Sequence, residues 1–521
     1  MSHIPEVRNV NGIETLYVNE EPFFALSGEV HNSSAESLTY MEQNVWPRLQ
    51  ELHMNTLIVP LYWDRIEEKK DEYCYELPDG LIRQARERGM HLIFLWFGLW
   101  KNADSNYAPG WIKQDTEQYF RAEKVTGEKL NTVSPFCQAA IDRDAQAFAS
   151  VMAHIREVDE EESTVIMMQV ENEVGLLGTP ADYCAAARAA FKQEVPDILL
   201  QKRGDSKEER KSPCGSWKEV FGEDAEEVFM AYYFAKAVEQ ITAAGRRAYP
   251  LPCFVNNWLK QHPWYPGSYP SGGPVRDMHW VWKAAAPSLF TLAPDIYVPY
   301  VAQTMDDWHY ESNPLLVPEA RRDAVTASYA MYALTHHHTL CYAPFGIEDL
   351  GLEPEALPAP PPEMMAALNI DPASFDIRGT KAALGSVYAL FEEMRPLYLK
   401  YRGTRHMQCF LKHSEEDKGA YLRFENYDIE ISYFPKAPGC PVSAGVIYEL
   451  SESKFVIVGM MSQFTFRPKA GDNKNVGFLR KESGTLRGGE WETWQIQNGD
   501  ENGHMMAVNQ PTCFYFEMYK Y

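Results

Sequence analysis

The chain of 521 residues and 59.6 kDa is long enough for a large core and two or three domains. Acidic residues outnumber basic ones by 73 to 49, and the net charge of −24 argues against nucleic acid or an anionic membrane as a partner. The nine cysteines contain no CxxC pair, and the sequence shows neither a signal-peptide core nor an apolar run long enough to span a membrane. We therefore expect a cytoplasmic protein with reduced thiols that acts on neutral or cationic ligands.

The first third of the sequence alternates apolar strands with amphipathic helices. The turn pair Asn11-Gly12 predicts an N-terminal hairpin. Repeated strand–helix units follow, and they predict a parallel sheet with helices on its faces. No glycine-rich phosphate motif follows an early strand, which favours a closed barrel over a doubly wound open sheet. The strands are predicted over 23–26, 55–63, 91–97 and 165–170, with helices over 37–51, 79–88 and 134–157.

The same alternation continues to about residue 345. A charged segment over 201–223 is predicted to be an insertion or mobile loop, and a proline-rich loop is predicted over 358–362. Further helices are expected over 224–244, 324–334 and 380–401, and further strands over 252–258, 295–300, 314–319 and 339–345. Eight strands in this order predict an α/β fold of the (β/α)8, or TIM barrel, type.

The pattern changes after about residue 405, where apolar and polar residues alternate along several short segments. This period of two is typical of antiparallel strands, so we predict a β-sandwich. The expected organisation is a barrel with its N-terminal hairpin over 1–404 and a C-terminal β-sandwich domain over 405–521. The second domain could bind glycan, form an oligomer interface or only support the barrel.

Two predicted strands end in a glutamate: the fourth continues into Asn172-Glu173 and the seventh ends at Glu319. A single acid at a strand end is as often an ordinary solvated group. Strands 4 and 7 lie across the mouth of a barrel, however, and active sites occupy that end of the fold. Paired carboxylates hydrolyse glycosides, about 5–5.5 Å apart when one is a nucleophile and about 6.5–9.5 Å apart when a water lies between them. We therefore predict that Glu173 and Glu319 are catalytic.

Three motifs are specific enough to suggest a family: Ser27-Gly-Glu-Val-His31, Val59-Pro-Leu-Tyr-Trp63 and Gln169-Val-Glu-Asn-Glu-Val-Gly175. They resemble the motifs of clan A glycoside hydrolases, and most closely those of the β-galactosidases of glycoside hydrolase family 35 in their shorter form. The strand-7 motif Leu316-Val-Pro-Glu319 matches less tightly. The resemblance covers about residues 9–345.

The resemblance implies a retaining, exo-acting enzyme with Glu173 as acid/base and Glu319 as nucleophile. Two departures concern the sugar. Asn32 replaces an aromatic residue of the family, and Gly98-Leu99-Trp100 stands where the family has Ala-Glu-Trp, whose glutamate contacts galactose.

Polar and aromatic side chains at strand ends are candidates for substrate contacts, because aromatic rings stack on sugar faces and polar groups bind hydroxyls. Each of them alone is at least as often part of the core. The candidates are Glu29, His31, Tyr62, Trp100, Lys101, Asn102, Asn172, Asn257, Trp258 and Tyr300.

A metal site is not predicted. His336, His337 and His338 are adjacent, so their side chains should point in different directions, unlike the i, i+4 pair of a helical zinc site. Asp306 and Asp307 are predicted to be a solvated loop pair.

The sequence thus predicts a retaining exo-β-glycosidase, with β-galactosidase as the first choice, that needs no cofactor and acts on an oligosaccharide or glycoside. One alternative is the same machinery on a β-glucoside, β-xyloside or α-L-arabinoside. The other is a non-catalytic carbohydrate-binding barrel. The sequence leaves a homo-oligomer open, and no nucleic acid or membrane partner is expected.

Overall fold

The computed structural model describes residues 4–203, 214–358, 361–367, 370–499, 506–507 and 510–521. The predicted segments 201–223 and 358–362 lie partly outside these residues. The chain begins with a three-stranded antiparallel sheet, in which Asn11 and Gly12 form the first turn with positive φ angles of 55° and 85°. Its strands are β1 (Glu6–Val10), β2 (Ile13–Val18) and β3 (Glu21–Phe23).

Eight parallel strands then form the barrel, so the predicted fold class is confirmed. The spatial order is β4-β13-β12-β11-β10-β9-β6-β5, and β7 and β8 form a separate ribbon. The barrel is closed by Glu29, which follows β4 and bridges in parallel to Ile58 of β5 and to Phe345 after β13. The ten strands are β4 (Ala25–Leu26), β5 (Thr56–Tyr62), β6 (His91–Lys101), β7 (Arg121–Glu123), β8 (Lys129–Val133), β9 (Val165–Asn172), β10 (Cys253–Asn257), β11 (Thr291–Ile296), β12 (Val317–Ala320) and β13 (Cys341–Pro344).

Helices connect the strands around the outside of the barrel. None of the helices in the described residues is long and apolar enough to cross a membrane. The helices are α1 (Leu38–Tyr40), α2 (Trp63–Ile66), α3 (Glu76–Arg86), α4 (Gly110–Gln114), α5 (Gln138–Asp159), α6 (Ala185–Phe191), α7 (Asp197–Arg203), α8 (Trp217–Phe221), α9 (Ala225–Ala248), α10 (His279–Ala285), α11 (Val301–Trp308), α12 (Thr326–Thr335), α13 (Pro362–Ala367) and α14 (Thr380–Tyr401).

Two sequence predictions placed these elements wrongly. The helix expected over 37–51 is α1 followed by a π-turn over Met41–Val45 and a 3-10 turn over Trp46–Leu49. Pro47 lacks the N–H that a continuous α-helix needs, which accounts for the break. The sixth barrel strand, expected over 295–300, is β11 and contains Pro294. The prediction began the strand after this proline and therefore placed it about four residues too late.

The C-terminal part is an antiparallel sandwich, as predicted. A six-stranded sheet (β14-β17-β18-β23-β20-β21) faces a four-stranded sheet (β15-β16-β19-β22), and an aromatic core that includes Phe410, Phe464 and Phe516 lies between them. The boundary at 404/405 stays a prediction, because Met407 and Val446 of this part belong to the barrel's continuous core. The strands are β14 (Met407–Leu411), β15 (Gly419–Arg423), β16 (Tyr427–Tyr433), β17 (Ala444–Ser451), β18 (Lys454–Met460), β19 (Ser462–Pro468), β20 (Val476–Arg487), β21 (Glu490–Ile496), β22 (Met506–Ala507) and β23 (Thr512–Lys520).

Candidate active site

The end of β9 has an unusual backbone. Glu171 and Glu173 both adopt left-handed φ angles, of 62° and 50°. Each such residue costs about 1–2 kcal/mol, so the surroundings must hold them in place. The Glu171 carboxylate is fully buried and accepts hydrogen bonds from the backbone N–H groups of Leu99 (3.1 Å) and Trp100 (2.7 Å). These bonds tie the end of β9 to the extension of β6.

A second buried acid supports the same junction from behind. Asp144 of α5 accepts hydrogen bonds from the Trp96 indole (2.8 Å) and the Leu99 N–H (2.8 Å). Burial raises the pKa of Asp144. Burial and the nearby Asp144 carboxyl together hold the pKa of Glu171 well above its usual range. Gly98 lies between them, and a Cβ there would come within 2.5 Å of Asp144 Oδ2 and 2.6 Å of Glu171 Oε1. The space is therefore filled by the two carboxyl groups.

Glu173 and Glu319 meet at the mouth of the barrel together with a third acid, Asp295 at the end of β11. One carboxylate oxygen from each of the three lies within 4.8 Å of the others. All three side chains are buried, with residue exposures of 5%, 9% and 5% in that order. Oxygens this close could bind a cation, or they could share protons among themselves.

Asparagines hold this group of acids in position. The Glu173 N–H donates to Asn256 Oδ1 (3.0 Å), while Asn256 Nδ2 donates to Asn172 Oδ1 (3.1 Å) and to Asp295 Oδ2 (2.9 Å). Asn172 Nδ2 in turn donates to Asn102 Oδ1 (3.0 Å). The network fixes the side chains that surround Glu173 before any ligand binds.

Glu319 accepts a hydrogen bond of 2.6 Å from the Tyr297 hydroxyl. Burial and the Glu173 carboxylate raise the pKa of Glu319 to about 7, against the opposing effects of Lys101 and the Tyr297 hydrogen bond. Burial and the neighbouring Glu319 and Glu173 carboxylates hold the pKa of Asp295 well above its usual range. This shift favours the protonated form of Asp295.

A cavity of about 300 Å³ opens above these acids. This is the lower end of the range for small-ligand sites. His31, Asn102 and Arg322 line it beside the acids, and a larger apolar wall faces them. The apolar wall consists of Trp258, Phe345, Met364, Met365, Ile370 and Phe375.

The structure brings five of the twelve predicted site residues to the lining of this cavity. Glu173, Glu319, His31, Asn102 and Trp258 line it. His31 Nε2 makes a hydrogen bond of 2.9 Å with Asp349 Oδ2.

Four more predicted residues are buried but do not line the cavity. Lys101 Nζ donates to Asn102 Oδ1 (2.7 Å), and Asn172 belongs to the asparagine network. Burial and the nearby Glu319 hold the pKa of Glu29 well above its usual range. Asn256 and Asn257 are neighbours in a strand, so their side chains point to opposite faces. Asn256 bonds within the group of acids, whereas Asn257 packs against Gly273.

Three further predicted contacts lie outside the cavity lining, and their role in substrate binding stays a prediction. The Tyr62 hydroxyl donates to the Asn32 carbonyl (2.6 Å). The Trp100 indole donates to the Val133 carbonyl and packs on Phe234 of α9, because β6 continues to Lys101 and its side chains alternate. Tyr300 caps α11 and is 40% exposed.

Sequence reasoning missed Asp295, Tyr297 and Asn256. The predicted sixth strand ran over 295–300, so Asp295 and Tyr297 were not recognised as residues at its end. With the observed strand bounds, Thr291–Ile296, an acid and an aromatic residue at the strand end would have been candidates. The apolar residues over 364–375 carry no sequence signal, because they reach the cavity only through the path of the chain after the barrel.

Residues 15–262 match the model of the family described as glycosyl hydrolases family 35, and residues 384–509 match a domain of unknown function, DUF5597. No curated protein has a significantly similar sequence.

Solved structures similar to this chain include three glycoside-processing enzymes. The β-galactosidase from Rahnella sp. R3 is 14% identical with a TM-score of 0.43, over 62% of this chain and 50% of that one. The β-galactosidase from Marinomonas ef1 is 13% identical with a TM-score of 0.40, over 61% and 53%. The catalytic domain of the β-amylase from Paenibacillus polymyxa is 11% identical with a TM-score of 0.47, over 66% and 96%. The matched region thus spans about half the length of the two β-galactosidases.

Proposed function

We propose that the protein is a retaining exo-β-glycosidase that removes terminal β-galactose from oligosaccharides or glycosides. The match of residues 15–262 to the model of glycosyl hydrolases family 35 supports this proposal. The observation that carries the proposal is the pair Glu173 and Glu319, which face each other with carboxylate oxygens no more than 4.8 Å apart. A water-mediated inverting reaction needs carboxyl groups about 6.5–9.5 Å apart. The short approach therefore favours direct attack by one carboxylate.

The proposed reaction has two displacements. Glu319 attacks the anomeric carbon while Glu173 protonates the leaving oxygen, which gives a covalent glycosyl-enzyme through an oxocarbenium-like transition state. Glu173 then removes a proton from the incoming water, and the bond to Glu319 breaks. The Tyr297 hydroxyl, 2.6 Å from Glu319 Oε1, stabilises the carboxylate form that must attack.

Asp295 has a separate role in this proposal. Burial and the neighbouring Glu319 and Glu173 raise the pKa of its carboxyl, and in its protonated form this group would limit the negative charge beside the nucleophile. Its Oδ1 atom is buried, and no hydrogen-bond partner for it is found in the described part of the chain. Because Asp295 lines the cavity, this oxygen is a candidate to bind a sugar hydroxyl.

The choice of galactose rests on the family, while the cavity of about 300 Å³ suits a single sugar ring of any hexose. The family's sugar-contacting glutamate is absent from this chain, where Leu99 within β6 stands in its place. His31, Asn102 and Asp295 are the polar groups that could replace its contacts. A cytoplasmic location and a homo-oligomeric state stay predictions.

The first test measures turnover of a panel of nitrophenyl glycosides by the wild type and by Glu319→Gly. We expect release from the β-galactoside, loss of release in the variant, and rescue by azide with α-galactosyl azide as product. Azide enters the space left by the carboxylate and attacks from the same face. Release from another glycoside only would exclude galactose and keep the mechanism. Binding of glycosides and oligosaccharides without any turnover would overturn the enzyme in favour of a carbohydrate-binding barrel.

A matched variant separates the two roles. With Glu173→Ala we expect azide to give the β-galactosyl azide, because the glycosyl-enzyme on Glu319 still forms and azide attacks it from the opposite face. Substrates with good leaving groups should still react in the first step, since they need little protonation. If the two azide products were exchanged between the variants, the roles of the two glutamates would be reversed.

A further inference from the structure

Three potential metal ligands meet on two neighbouring outer helices. Asp306 lies in α11, and His336 and His337 directly follow α12. One ligand atom from each of the three lies within 4.8 Å of the others. The sequence predicts that the three adjacent histidines point in different directions. Only His338 points away from the other two, and its Nδ1 atom makes a hydrogen bond of 2.8 Å with the Tyr398 hydroxyl.

His337 provides the strongest single indication of a ligand. Its side chain is only 4% exposed, and its Nε2 atom lies 3.1 Å from Asp306 Oδ1. Despite that distance, the geometry does not make a hydrogen bond, and no other partner for Nε2 is found in the described part of the chain. A buried, unpartnered nitrogen is costly unless something occupies the space it faces.

The other nitrogen of His337 is held in the manner of a metal ligand. His337 Nδ1 lies 3.0 Å from His309 Nδ1, so one of the two must donate its proton to the other. When His337 is the donor, its Nε2 carries a lone pair that faces Asp306. Metal-bound histidines usually donate their second N–H in this way, which fixes the tautomer and the ring orientation.

The ligand set and spacing fit a borderline divalent ion. Bonds of about 2.0–2.2 Å in a tetrahedral site place two ligand atoms about 3.3–3.6 Å apart, close to the 3.1 Å between His337 and Asp306. Two imidazoles and one carboxylate leave a fourth position for water, and they suit Zn²⁺ better than Mg²⁺ or Ca²⁺. We propose that Asp306, His336 and His337 form a binding site for a divalent transition-metal ion of the Zn²⁺ type.

The location points to a structural role for the ion. Outer helices of a (β/α)8 barrel run back from the active-site end, so the C-terminal ends of α11 and α12 lie at the opposite face, where barrel residues serve stability. An ion there would tie α11 to α12 across the connection that contains β12. The site is therefore independent of the three acids in the cavity and of the proposed reaction.

The test is titration calorimetry with zinc chloride on protein freed of metal by EDTA and dialysis. We expect the wild type to bind one more equivalent of Zn²⁺ than Asp306→Asn and His336→Gln, or to bind that equivalent at least about tenfold more tightly. Both variants change exposed residues and should fold. The Zn²⁺-dependent rise in the Tm of the wild type should be lost in both. Any Zn²⁺ that the variants still bind belongs to other groups, including the acids of the cavity.

A matched control is His53→Asn, which removes an exposed histidine elsewhere on the chain at a φ of 52° that asparagine tolerates. This variant should bind Zn²⁺ as the wild type does. The proposal is overturned if the wild type binds no Zn²⁺, or if Asp306→Asn and His336→Gln bind it with the same stoichiometry and affinity as the wild type. In either case His337 and Asp306 would form an ordinary ion pair.

Discussion

Removal of one hydroxyl, in Tyr297→Phe, tests the electrostatics of the proposed nucleophile. The Tyr297 hydroxyl donates to Glu319 Oε1 at 2.6 Å, and this bond lowers the pKa of Glu319, which burial and Glu173 raise to about 7. A hydrogen bond to a charged group contributes about 1.5–3 kcal/mol. One pKa unit corresponds to about 1.4 kcal/mol, so loss of the bond should raise the pKa of Glu319 by about 1–2 units.

The sign of the effect on activity follows from the role of Glu319. The nucleophile must be ionised, so activity falls as the pH drops below its pKa. In a profile of kcat/KM against pH, the acid limb of Tyr297→Phe should therefore lie about 1–2 pH units above that of the wild type. Well below both midpoints, the variant should be about 10–100-fold less active than the wild type at equal pH. The profile is measured on the nitrophenyl β-glycoside that the wild type hydrolyses best.

Tyr62→Phe is a matched control. The Tyr62 hydroxyl makes a hydrogen bond of the same length, 2.6 Å, but to the neutral carbonyl of Asn32 and away from the cavity. Its loss should leave the acid limb in place. In Tyr297→Phe the ring still stacks on Phe375, so the packing is retained. The reasoning is refuted if the acid limb of Tyr297→Phe stays where it is or moves to lower pH, or if Tyr62→Phe shifts it equally.

Two further predictions concern stability. Asp144→Ala leaves the buried Trp96 indole without its acceptor, so urea unfolding should show that the free energy of unfolding falls by about 1–3 kcal/mol. The control Asp142→Ala, on the exposed side of the same helix, should change this free energy by less than about 1 kcal/mol. Equal losses in the two variants would contradict the role of Asp144. Because the pKa of Asp295 is raised in the folded state, the native protein keeps a proton that the unfolded chain loses above about pH 4, so stability should fall as the pH rises, by up to about 1.4 kcal/mol per pH unit from this group. Asp295→Asn should show a shallower decline between pH 5 and 8, and parallel curves would show that Asp295 is ionised in the folded protein.

The sequence predicted the barrel and the glutamate pair for one physical reason. Barrel strands are buried on both faces, so β5 and β9 are continuous apolar segments that end where a site begins. The parallel arrangement then places all C-terminal ends of the strands at one face. Glu173 and Glu319 follow from these two facts without knowledge of any side-chain contact.

Errors arose where the fold overrides a local signal. A proline usually argues against a central strand, yet Pro294 lies within β11. Because the prediction left Pro294 out, the predicted strand began too late and extended to Tyr300. Trp100 looked like a strand-end aromatic, but β6 extends one residue beyond it and turns its ring towards α9. The proposed metal site depends on the packing of α11 beside α12, and no period in the sequence relates Asp306 to His337.

The two glutamates at the end of β9 show why sequence spacing could not assign their roles. In a regular strand, Glu171 and Glu173 would point to the same face, because side chains alternate with a period of two. Both residues instead have left-handed backbones, and Glu171 reaches Asp144 of α5 outside the barrel while Glu173 lines the cavity. The conformational cost, about 1–2 kcal/mol per residue, is offset by the hydrogen bonds that Glu171 accepts from the β6 backbone and by the bond from the Glu173 N–H to Asn256. The buried Glu171 therefore helps to orient Glu173, and its replacement should displace the proposed catalytic acid.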